Sequence, residues 1–97
     1  MIVEKTEEFD SWFKKLRDVK AKSVIELRIR RIELTGNLGD YKVIKEGINE
    51  LRVFYGPGYR IYFAWRENKI ILLLNAGDKS TQKRDINKAI ELDAEYE

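Results

Sequence analysis

Apolar residues recur at helical spacing in the first third of the chain and at alternate positions through its middle, and this change of period divides the chain into elements. The opening MIVEKT reads as a short edge strand. Thr6 follows as an N-cap, with Glu7 and Glu8 in a first turn where the helix dipole favours acids. Phe9, Trp12, Phe13 and Leu16 then return on one helical face, which predicts a helix ending near Asp18. Asp18 caps a second helix, with Ala21, Ile25, Ile29 and Ile32 as its apolar face and Gly36 as its C-terminal stop. The two form a helical hairpin. Its cations, including Arg28, Arg30 and Arg31, read as a solvated face paired with Glu26 and Glu33.

After the loop GNLGDY the period becomes two, from KVIKEG through Glu50 to Asn75. Tyr55 and Tyr59 flank Gly56, Pro57 and Gly58, which predicts a hairpin whose glycines supply positive φ. Pairing Tyr55 with Tyr59 sets Phe54 opposite Arg60 and Arg52 opposite Tyr62. Leu51, Val53, Tyr55, Tyr59, Ile61, Phe63 and Trp65 then share a face suited to packing under the helices, and Trp12, Phe13 and Trp65 are expected in the core. The other face carries Arg52, Phe54, Arg60, Tyr62, Ala64 and Arg66, and is expected to be open. KIILLLNAG, apolar on both faces, reads as a central strand. A last helix runs from about Thr81 towards Glu95, with Ile86, Ala89 and Ile90 as its buried stripe. The order is one strand, two helices, three or four strands and a helix. This is an α+β fold: two N-terminal helices packed on the convex side of a small, curved, mainly antiparallel sheet, plus a C-terminal helix.

A chain of 97 residues has room for one core, so residues 1–97 are expected to form one domain. Cysteine and histidine are both absent. That removes disulfides, thiolate nucleophiles and thiolate metal sites, and with them the commonest metal ligand and the usual general base near neutral pH. The longest apolar run, Ile70 to Leu74, is far too short to cross a bilayer, and MIVEKT lacks a signal pattern; a cytoplasmic protein with no membrane partner is expected. The net charge of +2 conceals an uneven distribution. Residues 42–84 carry nine Lys and Arg against four acids, whereas the segment from Asp85 to Glu97 carries one lysine against five. The positive excess therefore falls on the strands, where a polyanion would be held.

Arginines beside aromatics on an open strand face suit a phosphate chain carrying bases, since guanidinium groups fork onto phosphate and aromatic rings stack on bases. The same residues also serve as ordinary exposed strand residues with cross-strand cation–aromatic contacts, and periodicity leaves both readings open. Gly56 and Gly58 serve the turn: a lone GPG lacks the strand-to-helix setting of a nucleotide loop.

Taken together, GINELRVFYGPGYRIYFAWRENKIILLLNAGDKSTQKRDINKAIE resembles the phage-derived, HigB-like (Gp49-like) killer proteins of the RelE/ParE toxin superfamily. The features that carry the resemblance are the ELR strand, the GPGYRIYF hairpin, the apolar strand ending in GDK, and STQKRDI opening the last helix. It extends back through FDSWFKKLRD and GNLGDYK over nearly the whole chain.

The resemblance implies a RelE-like fold and the toxin of a type II toxin–antitoxin system, an mRNA endonuclease working on the translating ribosome without cofactor or metal. It implies a cognate antitoxin, HigA-like with a helix-turn-helix, forming a hetero-oligomer with the toxin. Arg60 matches the family's strand arginine and is the first catalytic candidate, with Lys79 and Lys83 in the segment that supplies proton transfer. Arg52, Phe54, Tyr62, Arg66 and Gln82 are the substrate-binding candidates. Several relatives place a tyrosine or histidine near the C-terminus, where this chain has Lys79, Gln82, Lys83 and Asp85. A two-metal nuclease fits less well, because Glu46, Glu50, Glu67, Asp78 and Asp85 read as scattered carboxylates. Two other classes remain: a ParE-like, non-catalytic poison of DNA gyrase, and a non-toxic basic interaction module.

Overall fold

The computed structural model describes residues 1–96. Its elements are β1 (Ile2–Lys5), α1 (Glu7–Lys15), α2 (Val19–Thr35), β2 (Tyr41–Lys45), β3 (Ile48–Val53), β4 (Tyr59–Glu67), β5 (Ile70–Asp78), a 3-10 turn (Lys79–Thr81) and α3 (Gln82–Glu95). The strands form one sheet in the order β1-β5-β4-β3-β2, parallel only between β1 and β5.

The caps read from the sequence are in place. Thr6 Oγ1 accepts from the Phe9 amide at 3.0 Å and donates to the Leu74 carbonyl, so one hydroxyl starts α1 and ties it to β5. Asp18 accepts from the Ala21 amide, and Gly36, at φ 74°, closes α2 through its amide to the Ile32 carbonyl. α1 and α2 lie on one face of the sheet, where Phe9, Ile25, Ile29 and Ile32 meet Leu51, Ile61, Phe63, Ile71 and Leu73.

The other face is not the open surface the alternation suggests. α3 lies across it, and Ile48, Tyr62, Ala64, Leu72 and Leu74 form a second core with Ala89 and Leu92. Tyr62 is fully buried there. The stripe of α3 is accordingly displaced by a fraction of a turn: Asp85, Ala89 and Leu92 are buried, whereas Ile86 and Ile90 are half-buried at its margin. The cause is that β3, β4 and β5 carry apolar residues of both parities, so the sheet demands cover on both sides.

The hairpin register also differs. Val53, not Tyr55, pairs with Tyr59, so Phe54 to Gly58 form a five-residue loop and Arg52 faces Arg60 instead of Tyr62. Gly56 at φ 58° and Gly58 at φ 83° both need the left-handed region, and the longer loop accommodates them. A slip of two residues preserves parity, which is why the face assignments survive it. Trp65 is exposed rather than core, and Trp12 and Phe13 are half-buried at the edge of the helical layer. Here α1 and α2 leave one corner of the sheet uncovered.

Arg28 departs furthest from a solvated helix face. Its guanidinium donates to the carbonyls of Leu38, Asp40 and Arg52 at 2.9, 2.6 and 2.9 Å. It pins the α2–β2 loop and the end of β3 to α2, and none of the ion pairs joins it to Glu26 or Glu33 among the described residues. Burial, reinforced by nearby Arg31 and partly offset by Asp40, lowers its pKa.

Candidate functional site

Two cross-strand rows on the α3 face define the site. In the first, Arg52 of β3 faces Arg60 of β4, which faces Gly77 of β5. In the second, Lys42, Glu50, Tyr62 and Asn75 follow one another across β2, β3, β4 and β5. Like charges placed directly opposite repel. Each arginine is therefore held by its own acid: Arg52 Nη2 by Asp40 at 3.0 Å, and Arg60 Nη1 by Glu50 at 3.3 Å.

Glu50 is the residue around which the site is built. It is almost fully buried, and one carboxylate oxygen receives Arg60 while the other accepts from Gln82 Nε2 at 2.8 Å. Gln82 is the first residue of α3. A single carboxylate thus links β3, β4 and the start of that helix. A buried carboxylate is tolerated when both oxygens are satisfied and a cation is adjacent, and both conditions hold here.

The start of α3 is fixed by a second acid. Asp85 accepts from the Thr81 hydroxyl at 2.5 Å, and its backbone carbonyl accepts from Asn75 Nδ2 at 3.0 Å. The Asp85 carboxylate lies against Gly77, where a Cβ would collide with it and with Thr81 Oγ1. Gly77 is required for this close approach. Upstream, Asp78 accepts from the Ser80 hydroxyl and amide, and those bonds, side chain first, hold its carboxyl below the usual range.

Three donors on this face have no acceptor among the described residues: Arg52 Nε, Arg60 Nε and Tyr62 Oη. Burial, and then the carboxylates of Glu50 and Asp85, push the Tyr62 phenol far above its ordinary value, so it stays protonated. Because Glu50 engages only Nη1 of Arg60, the guanidinium edge formed by Nε and Nη2 is left for another acceptor.

Of the residues singled out in the sequence, Arg52, Arg60, Tyr62 and Gln82 are brought together. Lys79 is exposed two residues past Gly77, the cross-strand partner of Arg60. Lys83 is exposed on the outer side of α3, in a cleft shared with Ser80, Thr81, Arg84 and Asn87. Phe54 is exposed in the hairpin loop, with the Arg52 guanidinium 5.9 Å from its ring centroid. Arg66 stands apart, bound to Asp93 near the other end of α3 at 2.7 Å. Glu50, Asp40, Thr81 and Gly77 were not singled out as site residues. For Glu50 the signal was available, since its even number places it on the face of Arg52 and Arg60.

The sheet order, the helical hairpin on one face and the arginine rows define a RelE-like fold. A chain of the RelB–RelE antitoxin–toxin complex from Methanococcus jannaschii superposes with a TM-score of 0.65 at 20% identity, over 84% of this chain and 96% of that one. A chain of the intact E. coli RelBE toxin–antitoxin complex gives 0.63 at 11% identity, over 79% and 94% respectively. Sequence places the protein more narrowly: residues 7–93 match the family of phage derived proteins described as Gp49-like, and the chain belongs to it. An uncharacterized protein of Haemophilus influenzae is 47% identical over 81 residues, 84% of this chain and 81% of that protein.

Proposed function

We propose that this protein is the toxin of a toxin–antitoxin pair and that it cleaves messenger RNA on the translating ribosome. The observation that carries the reading is the facing pair Arg52 and Arg60 on one face of β3 and β4, each with an Nε that has no acceptor among the described residues. Buried donors are nearly always paired in folded proteins, and two guanidinium groups side by side with donors to spare suit the oxygens of a phosphodiester. The start of α3 adds the exposed Lys79 and Lys83 to the basic surface, while Arg84 lies 3.8 Å from Asp85 in its first turn.

In the proposed reaction the ribose 2′-oxygen bonds to the adjacent phosphorus and the bond from phosphorus to the 5′-oxygen breaks, leaving a 2′,3′-cyclic phosphate and a 5′-hydroxyl. Arg60, with Arg52 beside it, donates to the non-bridging oxygens and stabilises the charge that develops there; one such donor is worth about 3 kcal/mol. Lys79 or Lys83 accepts the 2′ proton or supplies one to the leaving oxygen. Phe54 stacks on a base. Gln82 and Glu50 hold Arg60 in place, and Tyr62 supports it from beneath α3. Arg66, held by Asp93, has no part in this reading.

The test is primer extension on a reporter mRNA in a translating bacterial extract, comparing wild type with Arg60→Ala and Lys79→Ala. New 5′ ends within codons that appear only during translation, and fall by about a hundredfold with Arg60→Ala, are the expected result. Intact message despite growth arrest, with altered DNA supercoiling, would replace this reading with a gyrase poison.

A further inference from the structure

We propose that the groove beside Phe54 receives the base of a nucleotide next to the scissile phosphate and selects guanine there through Asp40 and Arg31; this rests on the RNA-cleavage reading above. The groove has a volume of about 460 Å³ and lies where α2 and the α2–β2 loop meet the end of β3. That is room for one small ligand. Val24, Leu27 and Val53 give it apolar walls, and Phe54, 78% exposed, stands at its border. An aromatic ring left in water beside aliphatic side chains is a stacking face for a base splayed out of its strand.

Arg52 joins the groove to the proposed cleavage site. It lines the groove, faces Arg60 across the strands, and holds its guanidinium 5.9 Å from the Phe54 ring centroid. A phosphate bound by the two arginines therefore brings one of its flanking bases to the mouth of the groove. A neutral base adds no charge against Asp40, as an acidic protein side chain would.

The polar groups of the groove choose the base. Asp40 Oδ1 accepts from Arg52 Nη2 at 3.0 Å, and no donor among the described residues reaches Oδ2. A carboxylate only accepts, and with about four lone-pair sites it has room for further donors beside Arg52. Guanine alone presents two adjacent donors, its ring N–H and its exocyclic amine, on the Watson–Crick edge. Adenine, cytosine and uracil each set an acceptor lone pair beside their donor, which a carboxylate repels.

Arg31 supplies the complement. A Cβ on Gly39 would collide with the Arg31 and Arg28 guanidinium groups, which places the Arg31 fork against the residue preceding Asp40. Arg28 is engaged by three backbone carbonyls, whereas no carboxylate pairs with Arg31 among the described residues. A free guanidinium fork suits the two acceptors on the other edge of guanine. Carboxylate and fork at adjoining positions thus match the two edges of one base.

The test uses the full chain in a translating bacterial extract, with a reporter mRNA library randomised at one codon and the new 5′ ends mapped by sequencing. Wild type is expected to cut about tenfold more often where guanine occupies one fixed position beside the break, the discrimination of a good bidentate contact. Asp40→Asn and Arg31→Gln are each expected to reduce that preference by about threefold or more. Phe54→Ala lowers cutting at all four bases together, since stacking is indifferent to the base edge. Asp40 also holds Arg52, so Arg52→Lys separates the two roles: total cleavage falls while the distribution of bases stays that of wild type. An unchanged distribution in Asp40→Asn or in Arg31→Gln overturns the inference, since a preference imposed by the ribosome would survive both substitutions. So does an equal change of distribution in Arg52→Lys, which would leave Asp40 only a support for Arg52. Wild-type cleavage without base preference overturns the inference and leaves the cleavage reading standing, whereas no cleavage at all overturns both.

Discussion

Arg52 and Arg60 face each other across β3 and β4, and each is bound to a carboxylate from a different part of the chain, Asp40 in the α2–β2 loop and Glu50 two residues back in β3. Two like charges in that position cost stability unless each is compensated. Compensation of Arg60 is the more demanding, because Glu50 is nearly inaccessible to water. Removing one member of such a pair strands the other, whereas removing both leaves no uncompensated charge, only the Gln82 amide without its acceptor. Glu50→Leu is expected to cost about 3 kcal/mol or more of folding free energy, and Glu50→Leu with Arg60→Leu appreciably less. Urea unfolding of the two single variants and the double variant completes the cycle; additive costs would show that the pair is not coupled.

Gly77 is expected to tolerate no side chain. A methyl group there meets the Asp85 carboxylate and the Thr81 hydroxyl, which fix the start of α3. Gly77→Ala should destabilise by about 1–3 kcal/mol, as overpacking does. It should also lower RNA cleavage more than stability explains, because Gln82 then loses its position on Glu50. Thermal unfolding and cleavage measured on the same preparation separate the two effects. Unchanged cleavage by folded Gly77→Ala would detach α3 from the site.

Tyr62 governs the alkaline limit of stability. Its phenol titrates well above the ordinary value of 10.0 when folded, so the folded state retains a proton that the unfolded chain releases. The associated stability is complete below about pH 10 and is lost as the pH rises from there towards the folded pKa. Tyr62→Phe should therefore flatten the fall of melting temperature above pH 10. Near pH 7 it should cost little, since the hydroxyl it removes makes no well-formed hydrogen bond and lies beside a Glu50 carboxylate already satisfied by Arg60 and Gln82. Tyr59, raised mainly by burial, leaves some alkaline dependence in the variant. A variant that declines as steeply as wild type would refute the assignment.

Arg28 is expected to act at a distance from the site. Arg28→Ala leaves the Leu38, Asp40 and Arg52 carbonyls without their donor, at a cost of about 2 kcal/mol or more. Arg28→Lys should recover only part of it, because one ammonium does not reproduce a planar fork serving three acceptors. Amide hydrogen exchange should show the loss of protection centred on residues 37–42 and on the end of β3. An even loss over the whole chain would mean that Arg28 is ordinary packing.

Local chemistry in the chain is enough to give the elements, their order and the two faces of the β3–β4 hairpin. Those are properties of local chemistry: Thr6, Asp18 and Gly36 satisfy or terminate helix ends within a few residues, and alternation of period two survives even a shift of register. The family resemblance pointed to Arg60, Lys79 and Lys83 as catalytic candidates and to Arg52, Phe54, Tyr62, Arg66 and Gln82 as substrate-binding ones, and of these the fold gathers Arg52, Arg60, Tyr62 and Gln82. What those residues touch depends on how the layers pack. Whether Tyr62 faces water or α3, whether Arg28 is solvated or joins three carbonyls, and whether Glu50 is scattered or central all depend on segments ten to more than thirty residues away. The alternation in β3 and β4 is the same whether the even face is open or covered, because burial is conferred by the helix that arrives from the end of the chain. The hairpin shows the same division: the glycines announced a turn, but the pairing of Arg52 with Arg60 was set by how many residues that turn consumed once the strands had packed between their two layers of helices.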